Sequence, residues 1–391
     1  MKVKDHTSSL FARNILTFSI FASLIAAAPL ARAQSSVSLY GLISVGLSYS
    51  SNAGGKPLYQ MANGPQQPSR WGLKGQEDLG GGRSAIFDLE NGFSITNGSA
   101  AQGGRLFGRQ AWVGIADKNL GTITMGRQYD EMTKQLNWTE SAVQFATYGA
   151  HVGDNDNIFD ALRLQNSVRY ESPVMAGLSF AGQYAFSNQA GAFSNNSAFS
   201  AGSTYVHGPF KVAVAMSQYN HPAAMDNSSG AVSDNYGFTS PFATSLGGSG
   251  VEKQRIFGVG AGYDFGIVQA TLAYTNVLFD YMDTSGLRLQ NAELSLTHNI
   301  TPSLLVGAAY IYTTGKYSDS EKPHYNQVNL GIDYSLSRRT DVYLIGLYQR
   351  AGGAAQYAQI FSSTASTSNS ETQVIAGIRT RFCRGGHSLR A

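Results

Sequence analysis

Val37-Ser38-Leu39-Tyr40-Gly41-Leu42-Ile43-Ser44-Val45-Gly46-Leu47-Ser48-Tyr49 decides the fold. Its odd positions are almost all apolar and its even positions small and mostly polar. That is the period of two that a strand imposes on its faces. The pattern recurs along the chain. Phe210, Val212, Val214 and Met216 alternate with Lys211, Ala213, Ala215 and Ser217. Val268, Ala270, Leu272 and Tyr274 alternate with Gln269, Thr271, Ala273 and Thr275. Val328, Leu330, Ile332 and Tyr334 alternate with Asn329, Gly331, Asp333 and Ser335. Val374, Ala376, Ile378 and Phe382 close the series against Ile375, Gly377, Arg379 and Arg381.

About sixteen such segments can be placed between residues 36 and 382. The even number is what a single-chain bacterial barrel requires. Their connections alternate in length. Short ones include Asp78 to Gly82, Asp117 to Leu120, Ser172 to Ala176, His207 to Pro209 and Leu336 to Thr340. Long ones include 50–68, 94–105, 128–162, 188–198, 221–252 and 351–371. A β-sandwich surface module has no reason to sort its loops this way, whereas a membrane barrel has one rim of turns and one of loops. The expected fold is therefore all-β, a transmembrane 16-stranded antiparallel up-and-down barrel. Aromatics crowd the strand ends (Tyr170, Phe186, Tyr263, Phe265, Tyr274, Tyr310, Tyr334, Tyr348), as in an interfacial girdle.

The leader points the same way. Lys2, Lys4 and Arg13 precede an apolar stretch from Ile15 to Leu30, and Ala31-Arg32-Ala33 is a small-x-small cleavage site. The organisation predicted is a signal peptide over 1–33, a barrel over 34–382 and an extension over 383–391. The stretch is short for a retained membrane anchor. Cleavage removes a net charge of +3 from a chain whose formal charge is +3, leaving the mature protein balanced. Such a balance gives no footprint for nucleic acid. Cys383 is the only cysteine, so no internal disulfide or cysteine zinc cluster is expected.

Two motifs are set aside. Asp154-Asn155-Asp156-Asn157 begins like a calcium loop but lacks its glycine and closing glutamate; a structural calcium ion is the only cofactor it would suggest. Gly258-Val259-Gly260-Ala261-Gly262 lies inside a strand with no helix after it, so small lumen-facing residues explain it better than a nucleotide fingerprint. No Gly-x-Ser-x-Gly elbow is present, and the seven histidines read as solvated, so an outer-membrane enzyme is the weaker alternative.

Several motifs follow one another in a recognisable order. They are Val37 to Gly41, Ser69-Arg70-Trp71-Gly72-Leu73-Lys74-Gly75, Phe107-Gly108-Arg109-Gln110-Ala111-Trp112, Met125-Gly126-Arg127-Gln128-Tyr129-Asp130, Arg163 to Pro173, and the closing Arg379-Thr380-Arg381-Phe382. Together they resemble the β-proteobacterial branch of the Gram-negative trimeric porins. The resemblance implies a homotrimer in the outer membrane, with a water-filled pore in each subunit for small hydrophilic solutes and ions. It implies that the loop at about 128–162 folds inward and brings acids to the constriction: Asp130, Glu131, Glu140, Asp154, Asp156 and Asp160. The facing wall cations are Arg70, Arg109 and Arg163, extended by Lys74, Arg127 and Arg169. Parity independently turns Arg70, Lys74, Arg163 and Arg169 toward the lumen; Arg109 is in phase with Ala111 and Val113, and its assignment rests on the resemblance. Ion preference is expected to lean weakly to anions. Expected partners are outer-membrane lipid, lipopolysaccharide and the assembly machinery, which reads the terminal aromatic. That aromatic is Phe382, and the chain departs from the family pattern by continuing beyond it.

Overall fold

The computed structural model describes residues 36–233, Tyr236 and 240–382. The expected signal peptide and the 383–391 extension lie outside the described residues. The strands are β1 (Ser36–Ala53), β2 (Lys56–Asn63), β3 (Arg70–Gly80), β4 (Arg83–Gly92), β5 (Gln110–Asp117), β6 (Gly121–Gln128), β7 (Leu164–Glu171), β8 (Leu178–Ala185) and β9 (Ser197–His207). They continue with β10 (Phe210–Asn220), β11 (Val251–Asp264), β12 (Val268–Tyr281), β13 (Gly286–Thr301), β14 (Leu304–Tyr317), β15 (Pro323–Ser335), β16 (Thr340–Gly353) and β17 (Ser370–Phe382).

Each strand from β3 to β17 pairs antiparallel with the next, and β17 pairs back onto β1, from Gly41↔Phe382 to Ser50↔Gln373. The sheet is thus closed. A closed cylinder leaves no backbone N–H or C=O facing lipid without a partner, which is why it can span a membrane. The terminal aromatic ring of Phe382 packs directly over Gly41, where a side chain would collide with it.

The seventeen ladder segments make sixteen staves. Along its other edge, β1 pairs with β3 over Ser36 to Leu42 and with β2 over Val45 to Ala53. β2 and β3 therefore occupy one position in the wall, broken over 64–69. This refines the sequence reading, which left 50–68 as a loop. The signal was Gly54-Gly55: both residues have positive φ (61° and 97°), and they join Ala53 to its partner Lys56. Two positive-φ residues form the tight hairpin turn whose twist matches that of its strands.

Side-chain alternation is that of a membrane barrel. On β13, Leu294 and Leu296 are exposed while Asn291, Glu293 and Ser295 between and beside them are buried. The same inversion holds for Leu330 and Ile332 against Asn329 on β15, and Leu272 and Tyr274 against Thr275 on β12. Apolar side chains face lipid, where a charge would cost about 2–4 kcal/mol at mid-depth. At the long-loop end the inward set turns apolar: Val277, Phe279, Tyr281, Leu287 and Leu289 are buried with Phe242 of the 221–252 connection. There the loops, rather than water, cover the inner wall.

Candidate functional site

The segment between β6 and β7 runs inside the barrel. It contains α1 (Glu131–Leu136), α2 (Ser141–Gln144) and short 3-10 turns. Asp130 caps α1, its carboxylate accepting the Thr133 N–H at 3.0 Å. The same carboxylate accepts from Asn157 Nδ2, Ser217 Oγ and Tyr219 Oη, so it also anchors the segment to β10. Farther along, Gln327 and Asn329 of β15 donate to the Gly149 carbonyl at 2.8 and 2.7 Å.

The inner wall is shaped for this segment. A side chain at Gly258 would strike Met132 and Leu136, and one at Gly260 would strike Leu136 and Thr139. At Gly262 it would meet Trp138, and at Gly307 or Gly331 it would meet Phe145. The glycine run set aside as a nucleotide motif is thus the bed on which the inward segment lies.

Where the segment returns to the wall, charges alternate in a chain. Arg70 Nη1 is 4.0 Å from Glu90 Oε1, and Glu90 Oε1 accepts from Arg109 Nε at 2.7 Å. Arg109 Nη2 donates to Asp160 Oδ2 at 3.0 Å, and Arg163 Nη2 donates to Asp160 Oδ1 at 2.9 Å. The Tyr129 ring lies close to both guanidinium groups, 5.8 Å from Arg109 and 5.1 Å from Arg163, and its hydroxyl accepts from Arg109. Asp160 holds φ at +119°, an unusual conformation for a residue with a side chain. A cavity of about 520 Å³ opens beside this chain, bounded by Arg109, Arg163, Asp160, Tyr148, Phe93 and Phe361.

The expected wall cations all face inward, by different routes. Arg70, Lys74 and Arg169 follow strand parity. Arg109 and Arg163 sit just outside β5 and β7, where parity does not operate, which explains why phase gave no answer for Arg109. Arg127 would point out with Ile123 and Met125, both exposed, but the register shifts between Gly126 and Gln128, and Gly126 has φ +137°. This bulge turns Arg127 inward, its Nε donating to the Gly108 carbonyl at 2.8 Å. Lys74 lies apart from the arginines, 3.4 Å from Asp88 and over the Tyr40 ring. Arg169 grips Glu131 at 2.6 Å and Glu171 at 2.6 Å. Arg105, absent from the sequence reading, reaches Gln165 and Ser233, each at 3.4 Å.

Of the expected loop acids, Asp160 alone borders the cavity. Glu131 and Asp130 are fully buried in the contacts above. Asp154 accepts from the backbone N–H groups of Phe159, Asp160 and Ala161. Burial and the neighbouring Asp156 push its pKa up to about 7 against those bonds. Asp156 Oδ2 accepts from Thr275, Asn291 and His151. His151 is fully buried between Asp156 (Nδ1, 2.7 Å) and Glu293 (Nε2, 3.0 Å), which corrects the reading of every histidine as solvated. Burial works against its charge, yet the flanking carboxylates hold its proton affinity well above the usual value. A lone histidine between polar neighbours carries no sequence signal for such a position, because Glu293 lies 142 residues away.

Comparison with known proteins adds to this geometry. A solved anion-selective porin from Comamonas acidovorans superposes with TM-score 0.72 at 23% identity, covering 89% of this chain and all of that one. An outer membrane porin protein of Bordetella pertussis is 30% identical over 90% of this chain and 96% of its own length. Outer membrane porin protein 32 of Delftia acidovorans is 26% identical over 92% of this chain and 98% of its own. The Gram-negative porin family matches residues 21–354. A closed sixteen-stave cylinder, oily outside and lined with polar side chains within, agrees with each of these matches: the chain belongs to the Gram-negative porins of the outer membrane.

Proposed function

We propose that the protein is a passive channel for small hydrophilic solutes and ions, narrowed by the segment between β6 and β7, with a weak preference for anions. The observation that carries this reading is the charge chain from Arg70 through Glu90, Arg109 and Asp160 to Arg163 beside an open cavity. Cations on the wall and a carboxylate on the segment set up a transverse field. Water and polar solutes align in it, and an apolar solute must break that order to pass. Clusters of fixed charge also set ion preference. Arginine suits such crowding because it stays protonated beside other cations. Arg127 lies within electrostatic range of both Arg163 and Arg105, so positive charge outweighs Asp160 and Glu90 here. That excess is the reason for the anion preference.

As in the trimeric porins the sequence resembles, the working unit is proposed to be a homotrimer embedded in outer-membrane lipid and lipopolysaccharide. Phe382, packed on Gly41 at the closing seam, is the proposed signal for the assembly machinery. No catalytic role is assigned to any residue. The test is single-channel recording of the refolded, leaderless protein in planar bilayers under a salt gradient. Arg163→Gln should move the reversal potential toward cation preference. An unchanged reversal potential would remove Arg163 from the selective region, and absence of conductance steps would defeat the channel reading itself.

A further inference from the structure

Opposite the charge chain, the inward segment meets β13 through a second cluster of a different kind. Glu140, His151 and Glu293 are all fully buried, and one donor atom from each lies within 4.8 Å of the others. Glu140 Oε1 accepts the His151 backbone N–H at 3.0 Å, whereas Glu140 Oε2, equally buried, meets no donor among the described residues. The imidazole is fixed by Asp156, which takes the Nδ1 proton at 2.7 Å. Nε2 then faces Glu293 Oε2 at 3.0 Å. A lone pair on each side of that gap repels unless a cation stands between them. Glu293 Oε1 is itself held by the Ser141 N–H at 2.8 Å, so its carboxylate cannot turn away.

We propose that Glu140, His151 and Glu293 form a binding site for a divalent transition-metal ion of the zinc class, which fastens the inward segment to β13. The donor set is one imidazole nitrogen and two carboxylates, which suits zinc better than the all-oxygen shells of calcium or magnesium. A tetrahedral shell with metal–ligand distances near 2.0–2.2 Å has edges of about 3.3–3.6 Å; the His151 Nε2–Glu293 Oε2 pair at 3.0 Å would open slightly and the remaining pairs, within 4.8 Å, would close on the ion. Asp156 supplies what a metal-bound histidine usually has: a carboxylate on the other ring nitrogen that fixes the tautomer and aims the lone pair. This site is distinct from the calcium-like run 154–157, whose Asp154 is engaged by backbone N–H groups. The alternative occupant is a proton, which would leave His151 as an imidazolium bridging two carboxylates and Glu140 as a neutral acid.

The experiment is to refold the leaderless protein from chelator-treated material with and without zinc chloride. Metal retained after desalting is measured by elemental analysis, and its shell by X-ray absorption. The wild type should keep about one zinc ion per chain, with a shell of one nitrogen and otherwise oxygen at about 2.0–2.2 Å. Glu140→Gln replaces with an amide nitrogen a carboxylate oxygen that meets no donor among the described residues; it should refold as the wild type does and lose the metal. Asp156→Asn should weaken zinc binding about ten- to a hundredfold. Lack of zinc in the refolded wild type, or equal zinc in the wild type and Glu140→Gln, would overturn the proposal. Zinc content is read independently of conductance, so either proposal can fail without the other.

Discussion

Asp160→Asn isolates the negative member of the charge chain. Asparagine fills the same volume and tolerates positive φ better than most residues, so the +119° backbone is not further burdened. Arg109 keeps its bonds to Glu90 and Tyr129, and Arg163 keeps its bond to the Ala161 carbonyl, so neither guanidinium loses all support. What changes is one unit of charge beside the cavity. An ion passing about 6 Å away feels roughly 0.7 kcal/mol from a unit charge in a water-like medium, reduced to about 0.3 kcal/mol at 0.15 M salt. The change favours anions and disfavours cations alike, so the permeability ratio responds to twice this energy. It should rise roughly threefold toward anions at 0.15 M and about sevenfold at 0.01 M, where screening is weak. The assay is the reversal potential of refolded channels at both ionic strengths. An Asp160→Asn channel of ordinary conductance, with an unshifted reversal potential at low salt, would refute the transverse-field argument.

Phe145 is almost fully buried against Gly307 and Gly331. Phe145→Ala should cost the seat of the inward segment about 3 kcal/mol, leave the barrel heat-modifiable on gels, and raise open-channel noise and protease cutting within 137–150; unchanged noise and resistance would show that the segment is held without it. At the long-loop end, Asp283 accepts hydrogen bonds from Ser245 and Ser285, which lower its pKa to about 2. A carboxylate depressed in the folded state lends stability that is complete above its ordinary pKa of about 3.9 and is lost as pH falls through about 2. Pepsin should therefore spare 240–250 at pH 3 and cut it near pH 1.5, with Asp283→Asn cut at both; equal cutting of the wild type at the two pH values would contradict this.

Strand identity and facing were legible because alternation is a local property. Val328, Leu330 and Ile332 announce the lipid face wherever the strand pairs. The hairpin at Gly54-Gly55 was legible too, but lay hidden inside a stretch counted as one long loop. What alternation could not give were departures from it. Arg127 faces inward only because a bulge at Gly126 resets the phase, and Arg109 sits one residue before its strand. His151 and Glu140 are joined by Glu293 of β13, which no window of neighbouring residues contains. Likewise, nothing in Asp130 or Asp154 distinguishes a capping carboxylate from one facing water. Of the wall cations that the resemblance implied, Arg109 and Arg163 border the cavity, and of the acids only Asp160 does, a distinction that depends on long-range packing.

The inward segment also constrains the order of assembly. Its resting places are Ser217, Thr275, Glu293, Gln327 and Asn329, all on strands made after it. Contacts between such distant stretches of sequence form late, since long loops must close first. Until β15 is in place, residues 129–163 have only part of their support, so an intermediate carrying the first ten strands would be a curved trough whose tongue is held near Asp130 and Glu131 and loose beyond them. The inward segment is therefore seated last, by the half of the chain that contributes fewer of the guanidinium groups beside it.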